Sequence, residues 1–167
     1  MTKLAQFIAP LTCPACGHRT EGRDNGTQTA ILDYRDAKGL DPRIVLGAEI
    51  PDLEPFAIED AYIMLRAPAE GEPVRILETW RCPSCRAAGQ PWFRWAEVVF
   101  EGRRFASMRD RELSLAFLRE VHFACQSLVM EVIDPHLGVE VLERYTLPSG
   151  DMDPGFIPLL APHLPAR

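Results

Sequence analysis

Cys13-Pro14-Ala15-Cys16 and Cys82-Pro83-Ser84-Cys85 decide how this chain is read. Each tetrapeptide sets two thiols on one side of a tight turn. Together they offer four thiolates, the donor set of a tetrahedral structural Zn2+ site. The two turns are expected to face each other across one ion, with Cys13, Cys16, Cys82 and Cys85 as its ligands. Sixty-five residues lie between Cys16 and Cys82, against ~15–20 in compact sites, so an insert, residues 21–77, is expected between the halves. Metal binding would close a very long loop, and its free energy would then be folding free energy. Zn2+ is favoured over iron only by its commonness, because a four-sulfur tetrahedron suits both.

The flanks repeat a pattern of apolar run, knuckle and polar turn. Residues 5–11 read as a short strand leading into Cys13. Gly17 stands where such a turn needs positive φ and N–H groups aimed at sulfur. Residues 21–26 (EGRDNG) read as a polar turn without an apolar anchor, and residues 27–34 as a strand. Asp41-Pro42 ahead of residues 43–47 reads as a short helical turn capped by Asp41 and stopped at Gly47. The runs at 61–66 and 74–80 are expected to pair as a hairpin whose second strand delivers Cys82. Residues 92–100 and 104–108 flank Glu101-Gly102-Arg103 and read as a second hairpin.

A single long helix is expected from Asp110 or Ser114 to Ile133, ended by Asp134-Pro135. Its apolar arc is wide: Leu115, Leu118, His122, Cys125, Val129 and Val132 on one stripe, Phe117, Val121, Ala124 and Leu128 on the next. His122 and Cys125 read as core residues of this helix. Residues 139–142 and 145–147 could add a last strand. From Pro148 onward five prolines punctuate an apolar sequence. They forbid helix and sheet interior, so residues 148–167 read as an extended arm docked on a surface. The fold class expected is α+β, with antiparallel hairpins carrying the knuckles in residues 1–147, one long helix and that arm.

The net charge of −6 repels phosphate backbones and anionic lipid heads, which disfavours nucleic acid as the main partner. No apolar run approaches the ~20 residues of a membrane span, and the first eight residues do not make a signal peptide. A cytoplasmic protein is expected. Four of the five cysteines lie in CxxC pairs, which in a reducing compartment reads as metal binding rather than disulfides.

Cys82 could be a redox thiol, but such a site wants a helix N-terminus, residues 86–91 start a helix poorly, and Cys13 and Cys16 would be left unexplained. His18 could substitute as a ligand, though a place beside the site suits it better. The acid pairs Glu59-Asp60 and Asp151/Asp153 read as solvated surface, and His136 and His163 sit beside prolines without a carboxylate partner. Arg103, Arg104, Arg109 and Arg111, with Trp92, Phe93, Arg94 and Trp95, are the one place where a nucleic acid could bind by charge and stacking. Interleaved Glu97, Glu101, Asp110 and Glu112 weaken that reading. No Walker loop, dinucleotide fingerprint, GxSxG elbow or HExxH is present.

With Cys13, Cys16, Gly17, Cys82 and Cys85 in these positions, the chain resembles a zinc ribbon. It is similar in outline to small bacterial double-CXXCG motif proteins, some of which are immunity proteins that neutralise a toxin. It is also similar in size and knuckle separation to the non-catalytic gamma subunit of acetone carboxylase. Arg86 departs from the pattern, standing where the second knuckle's Gly would be. Both resemblances imply a protein that binds another protein; a non-enzymatic role is expected, with another protein or a second copy of this chain as the partner. The apolar residues expected to touch that partner are Phe123 and Met130 on the helix and Phe156, Ile157, Leu159 and Leu160 on the arm.

Overall fold

The computed structural model of the chain describes residues 4–29, 31, 43–50 and 62–167. Within them the architecture is mixed α+β: a five-stranded sheet, a two-stranded sheet and several short helices. The expected helix cap at Asp41, the acid pair Glu59-Asp60 and most of the strand expected at 27–34 lie outside the described residues. Of that strand's described part, Thr29 makes a lone antiparallel bridge to Ala5.

The large sheet is built on β4 (Val74–Arg81) and β5 (Phe93–Glu101), which pair antiparallel along eight residues. β6 (Arg104–Asp110) returns through the tight turn at Gly102-Arg103, as its sequence predicts. On the far side of β4 the order is not the expected one. β3 (Tyr62–Met64) does not pair with β4; β7 (Phe123–Cys125) lies between them, parallel to β4 and antiparallel to β3. His122 fastens this insertion. Its N–H donates to the Arg75 carbonyl, its Nδ1 accepts the Arg75 N–H at 3.0 Å, and its carbonyl accepts Leu65 N–H.

That strand replaces the middle of the expected long helix. α2 (Leu115–Glu120) is capped by Ser114, whose Oγ accepts the Phe117 N–H; Asp110 is the last residue of β6 instead. Helix ends at Val121, which is extended at ψ 151°. Phe123, Ala124 and Cys125 are all buried, because a strand inside a sheet is covered on both faces. The two adjoining apolar stripes counted for a helix are that double coverage. Helix resumes as α3 (Gln126–Leu128), widens into a π turn at Val129–Ile133, and continues as α4 (Asp134–Leu137). Asp134-Pro135 is therefore passed, not obeyed. The wide turn just before Pro135 relieves the clash and missing donor that proline brings to a regular helix. The stop comes at Gly138, whose φ of 79° only glycine adopts without strain.

Two further expectations are corrected. Arg43–Val45 is strand β2, parallel to β1 (Gln6–Ile8), not a helical turn. Residues 140–145 form helix α5 (Glu140–Tyr145), not a strand; Val141, Leu142 and Tyr145 share one helical face, and Tyr145 meets the Phe156 ring at 6.4 Å.

Alternation along β4 assigns the two cores. Ile76, Glu78 and Trp80 face β1 and the knuckles, where Phe7 packs on Phe100 and Phe105. Leu77 faces the helices. The proline-rich segment belongs to this second core. Pro154–Leu160 is a 3-10 helix rather than extended chain, with Phe156, Ile157 and Leu160 buried. A 3-10 turn tolerates Pro158 because bonds are sparse and short. Beyond it, Pro165 and Ala166 carbonyls accept the first N–H groups of α2, and His163 stacks on His136 at 4.0 Å. Among the described residues no helix is long and apolar enough to cross a membrane.

Candidate metal centre

Both knuckles are turns at the ends of antiparallel pairs. Thr12 and Arg19 bridge the base of the first. Cys13 N–H donates to the His18 carbonyl, and Gly17 N–H returns to the Cys13 carbonyl, a closure that needs the φ of 75° at Gly17. The second knuckle joins β4 to β5. Cys82 is the N-cap of a short helix α1 (Pro83–Ala87), and its Sγ accepts the Cys85 N–H. The helical turn starts ahead of residues 86–91, at Pro83, which is pre-set for the first helical position, so Cys82 does cap a helix.

The polar segment 21–26 is anchored after all. Asn25 is fully buried. Its Nδ2 donates to the Phe7 and Ala9 carbonyls, its Oδ1 accepts the Thr27 N–H, and its own carbonyl accepts the Arg81 N–H at 2.7 Å. One side chain and one carbonyl therefore tie the strand before Cys13 to the strand before Cys82.

The outcome is a cluster of four thiols. Cys13 Sγ lies 3.7 Å from Cys85 Sγ, Cys16 Sγ lies 3.6 Å from Cys82 Sγ, and all four sulfurs are within 4.8 Å of one another. None is in a disulfide. A tetrahedron with metal–sulfur bonds of ~2.3 Å has edges of about 3.8 Å, so the four cysteines fit a metal ion. His18 is not among the clustered donors; its backbone N–H points at the Cys16 sulfur and draws that thiol down to about 6, while burial pushes Cys85 up to about 12 and raises Cys82. A bound cation would deprotonate all four, and two of the resulting charges would exceed those of a divalent ion. Positive charge stands ready nearby. Arg94, held by Asp110 at 2.6 Å, feels Cys13 and Cys85, and Asp110 also accepts the Trp80 Nε1–H.

Beside the second knuckle, two guanidinium groups approach the Trp92 ring, Arg81 at 5.5 Å and Arg86 at 5.3 Å from its centre. Phe93, 39% exposed, meets Trp95 edge-on. Of the arginines considered for nucleic acid, Arg104 pairs with Glu49, and Arg109 and Arg111 pair with Glu97. Of the apolar residues expected to touch a partner, Phe123, Phe156, Ile157 and Leu160 are buried in this chain's own cores, where sheet pairing and the 3-10 turn place them; Met130 and Leu159 remain exposed.

Sequence reasoning missed Asn25, Glu78 and Glu97. The signal for Glu78 was present, since strict alternation puts it in phase with Ile76 and Trp80; Glu97 alternates out of phase with Val98 and Phe100, so alternation carried no burial signal for it. Asn25 had no such signal, because its partners are backbone groups remote in sequence.

Compared with known proteins, the chain matches no family model, no curated protein and no solved structure.

Proposed function

We propose that this chain is a non-enzymatic protein-interaction module built as an extended zinc ribbon, with one structural Zn2+ on Cys13, Cys16, Cys82 and Cys85. Its role is that of an accessory subunit or an immunity-type inhibitor. The observation that carries the reading is the sulfur cluster itself. Four cysteines at tetrahedral spacing would fill the coordination sphere of one ion, and a site without an open position is structural rather than catalytic. The ion would clasp two distant halves of the chain and hold the Arg81–Trp92–Arg86 stack beside it. Trp and Arg are the residues that dominate protein–protein binding energy, and this stack, with Phe93, is the partner face we assign. Met130 and Leu159 are what stays exposed of the apolar set read from the sequence.

Supporting this over nucleic-acid binding, Arg104, Arg109 and Arg111 are engaged with Glu49 and Glu97, so they offer no continuous basic face. Metal analysis of the purified chain tests the clasp: about one Zn2+ per chain and four thiols protected from alkylation are expected. No metal, or only two protected cysteines, overturns it. Co-purification from the native host with the wild type and with Trp92→Ala tests the face: a partner retained equally by both removes Trp92 from the interface.

A further inference from the structure

On the β1 side of the large sheet lies a cavity of about 230 Å³ that the sulfur cluster does not use. Leu4 and Met130, both exposed, stand at its mouth, and Thr29, Tyr62, Glu78 and Cys125, all buried, form its floor. Glu78 sits in the middle of β4, 2% exposed. Its hydrogen bonds run in one direction. The Ile31 N–H donates to Thr29 Oγ1, the Thr29 hydroxyl then donates to Tyr62, and Tyr62 O–H donates to Glu78 Oε1; the Thr79 N–H takes Oε2. Every donor is neutral. Among the described residues no Lys, Arg or His lines the cavity or pairs with Glu78.

The same sheet shows what a buried carboxylate otherwise receives. Glu97, on the neighbouring strand and 1% exposed, is met by Arg75 at 3.0 Å, Arg109 at 2.7 Å and Arg111 at 3.4 Å. A buried charge needs a counter-charge. Among the described residues Glu97 has three, and Glu78 has none and faces a cavity.

We propose that this cavity binds a primary ammonium on a short aliphatic stem, with Glu78 as counter-ion at the floor and Leu4 and Met130 against the stem. The size suits it, since a cavity of ~150 Å³ already admits benzene. Burial pushes Glu78 up to about 7, so the cavity is a poor host for a second anion, and an arriving cation restores the ionised form. The site is independent of the metal and of the partner face proposed above.

The ammonium can come from a free amine or from a lysine side chain. The test is a chemical-shift titration of the full-length, metal-loaded chain at pH 8 with n-butylammonium and, separately, with Nα-acetyl-lysine methylamide. Saturable shifts at the Thr29 and Cys125 amides are expected, with a dissociation constant on the order of 1 mM. n-Butanol, the uncharged isostere, should not saturate them. Binding of the small amine alone assigns a free ligand, and binding of the lysine derivative assigns a partner's side chain. Glu78→Gln should weaken binding at least tenfold. Met130→Trp, at an exposed position that leaves both cores intact, should do the same by closing the mouth. Saturation by neither probe, equal saturation by n-butanol, or unchanged affinity in Met130→Trp overturns the proposal.

Discussion

Cys16 and Cys82, sixty-six positions apart, bring their sulfurs to 3.6 Å. That is too long for a disulfide and close to the edge of a metal–thiolate tetrahedron. The apparent binding energy of a structural Zn2+, ~10–16 kcal/mol in small domains, is comparable to the ~5–15 kcal/mol that stabilises a whole protein. If the cluster holds the proposed Zn2+, a strong chelator should therefore unfold the knuckle end and lower the melting temperature by tens of degrees, read by circular dichroism, and added Zn2+ should restore it. Cys85→Ser should behave like the chelated wild type. A chelated chain that melts unchanged leaves the clasp without a role.

Asn25 holds the two halves together without a metal. Asn25→Ala leaves the Ala9 carbonyl and the Thr27 N–H unpaired in the interior and the Phe7 carbonyl with only the Thr27 hydroxyl as a side-chain donor. The expected loss is about 2–4 kcal/mol, measured by urea unfolding of the metal-loaded protein. Asn25→Asp should cost at least as much, because it brings a charge and still cannot donate to the two carbonyls.

Glu78 gives stability a pH dependence of definite sign. Its folded pKa, about 7, lies above the ordinary value of 4.5. Its contribution is thus fully present below pH 4.5, fades between 4.5 and 7, and is lost above. The change amounts to roughly 3 kcal/mol at 1.36 kcal/mol per unit. Glu78→Gln removes the dependence, so the variant should gain on the wild type from pH 5 to pH 8 in paired urea titrations. A difference that stays constant with pH refutes the shift. His122 works in the opposite direction: burial lowers it, so its contribution is present above pH 6.5 and is lost as the pH falls. Comparing Glu78→Gln with wild type at each pH cancels that background.

The C-terminal segment is core, and its two neighbours Phe156 and Leu159 separate that from a loose arm. Phe156 is fully buried and Leu159 is 42% exposed. Phe156→Ala should cost about 3–5 kcal/mol, and Leu159→Ala within about 0.5 kcal/mol. Similar small losses for both, by thermal or urea unfolding, would mean the segment does not pack on the chain.

Glu97 is the lock between β4, β5 and β6. Glu97→Ala strands Arg75, Arg109 and Arg111, of which Arg109 is 60% exposed and can rehydrate. The expected cost is about 2–4 kcal/mol, and Glu97→Gln should recover part of it, as read by the same unfolding titrations.

The four cysteines, the turn at Gly17, the β5–β6 hairpin and the cap at Ser114 were legible in the sequence because each is a local rule. CxxC spacing, a glycine's φ, period-two alternation and a serine ahead of an apolar run act over a few residues. What the sequence could not decide is where a short apolar run goes. Phe123-Ala124-Cys125 satisfies a helix stripe and a two-faced strand equally, and only the gap beside β4, closed by the bonds between His122 and Arg75, makes it a strand. That one choice moved Phe123 from a partner surface to the core and placed Cys125 beside Glu78. Likewise, the prolines from Pro148 onward excluded regular helix and sheet, as proline's fixed φ requires, but the burial of Phe156 and Leu160 depended on the cleft beside α2, α4 and α5. The residues themselves determined the four-thiol donor set, because its chemistry is carried by four side chains whose type and spacing are enough. The tertiary structure alone decided the cavity at Glu78 and the contrast with Glu97, because which charges meet a buried carboxylate is a property of neighbours remote in the chain.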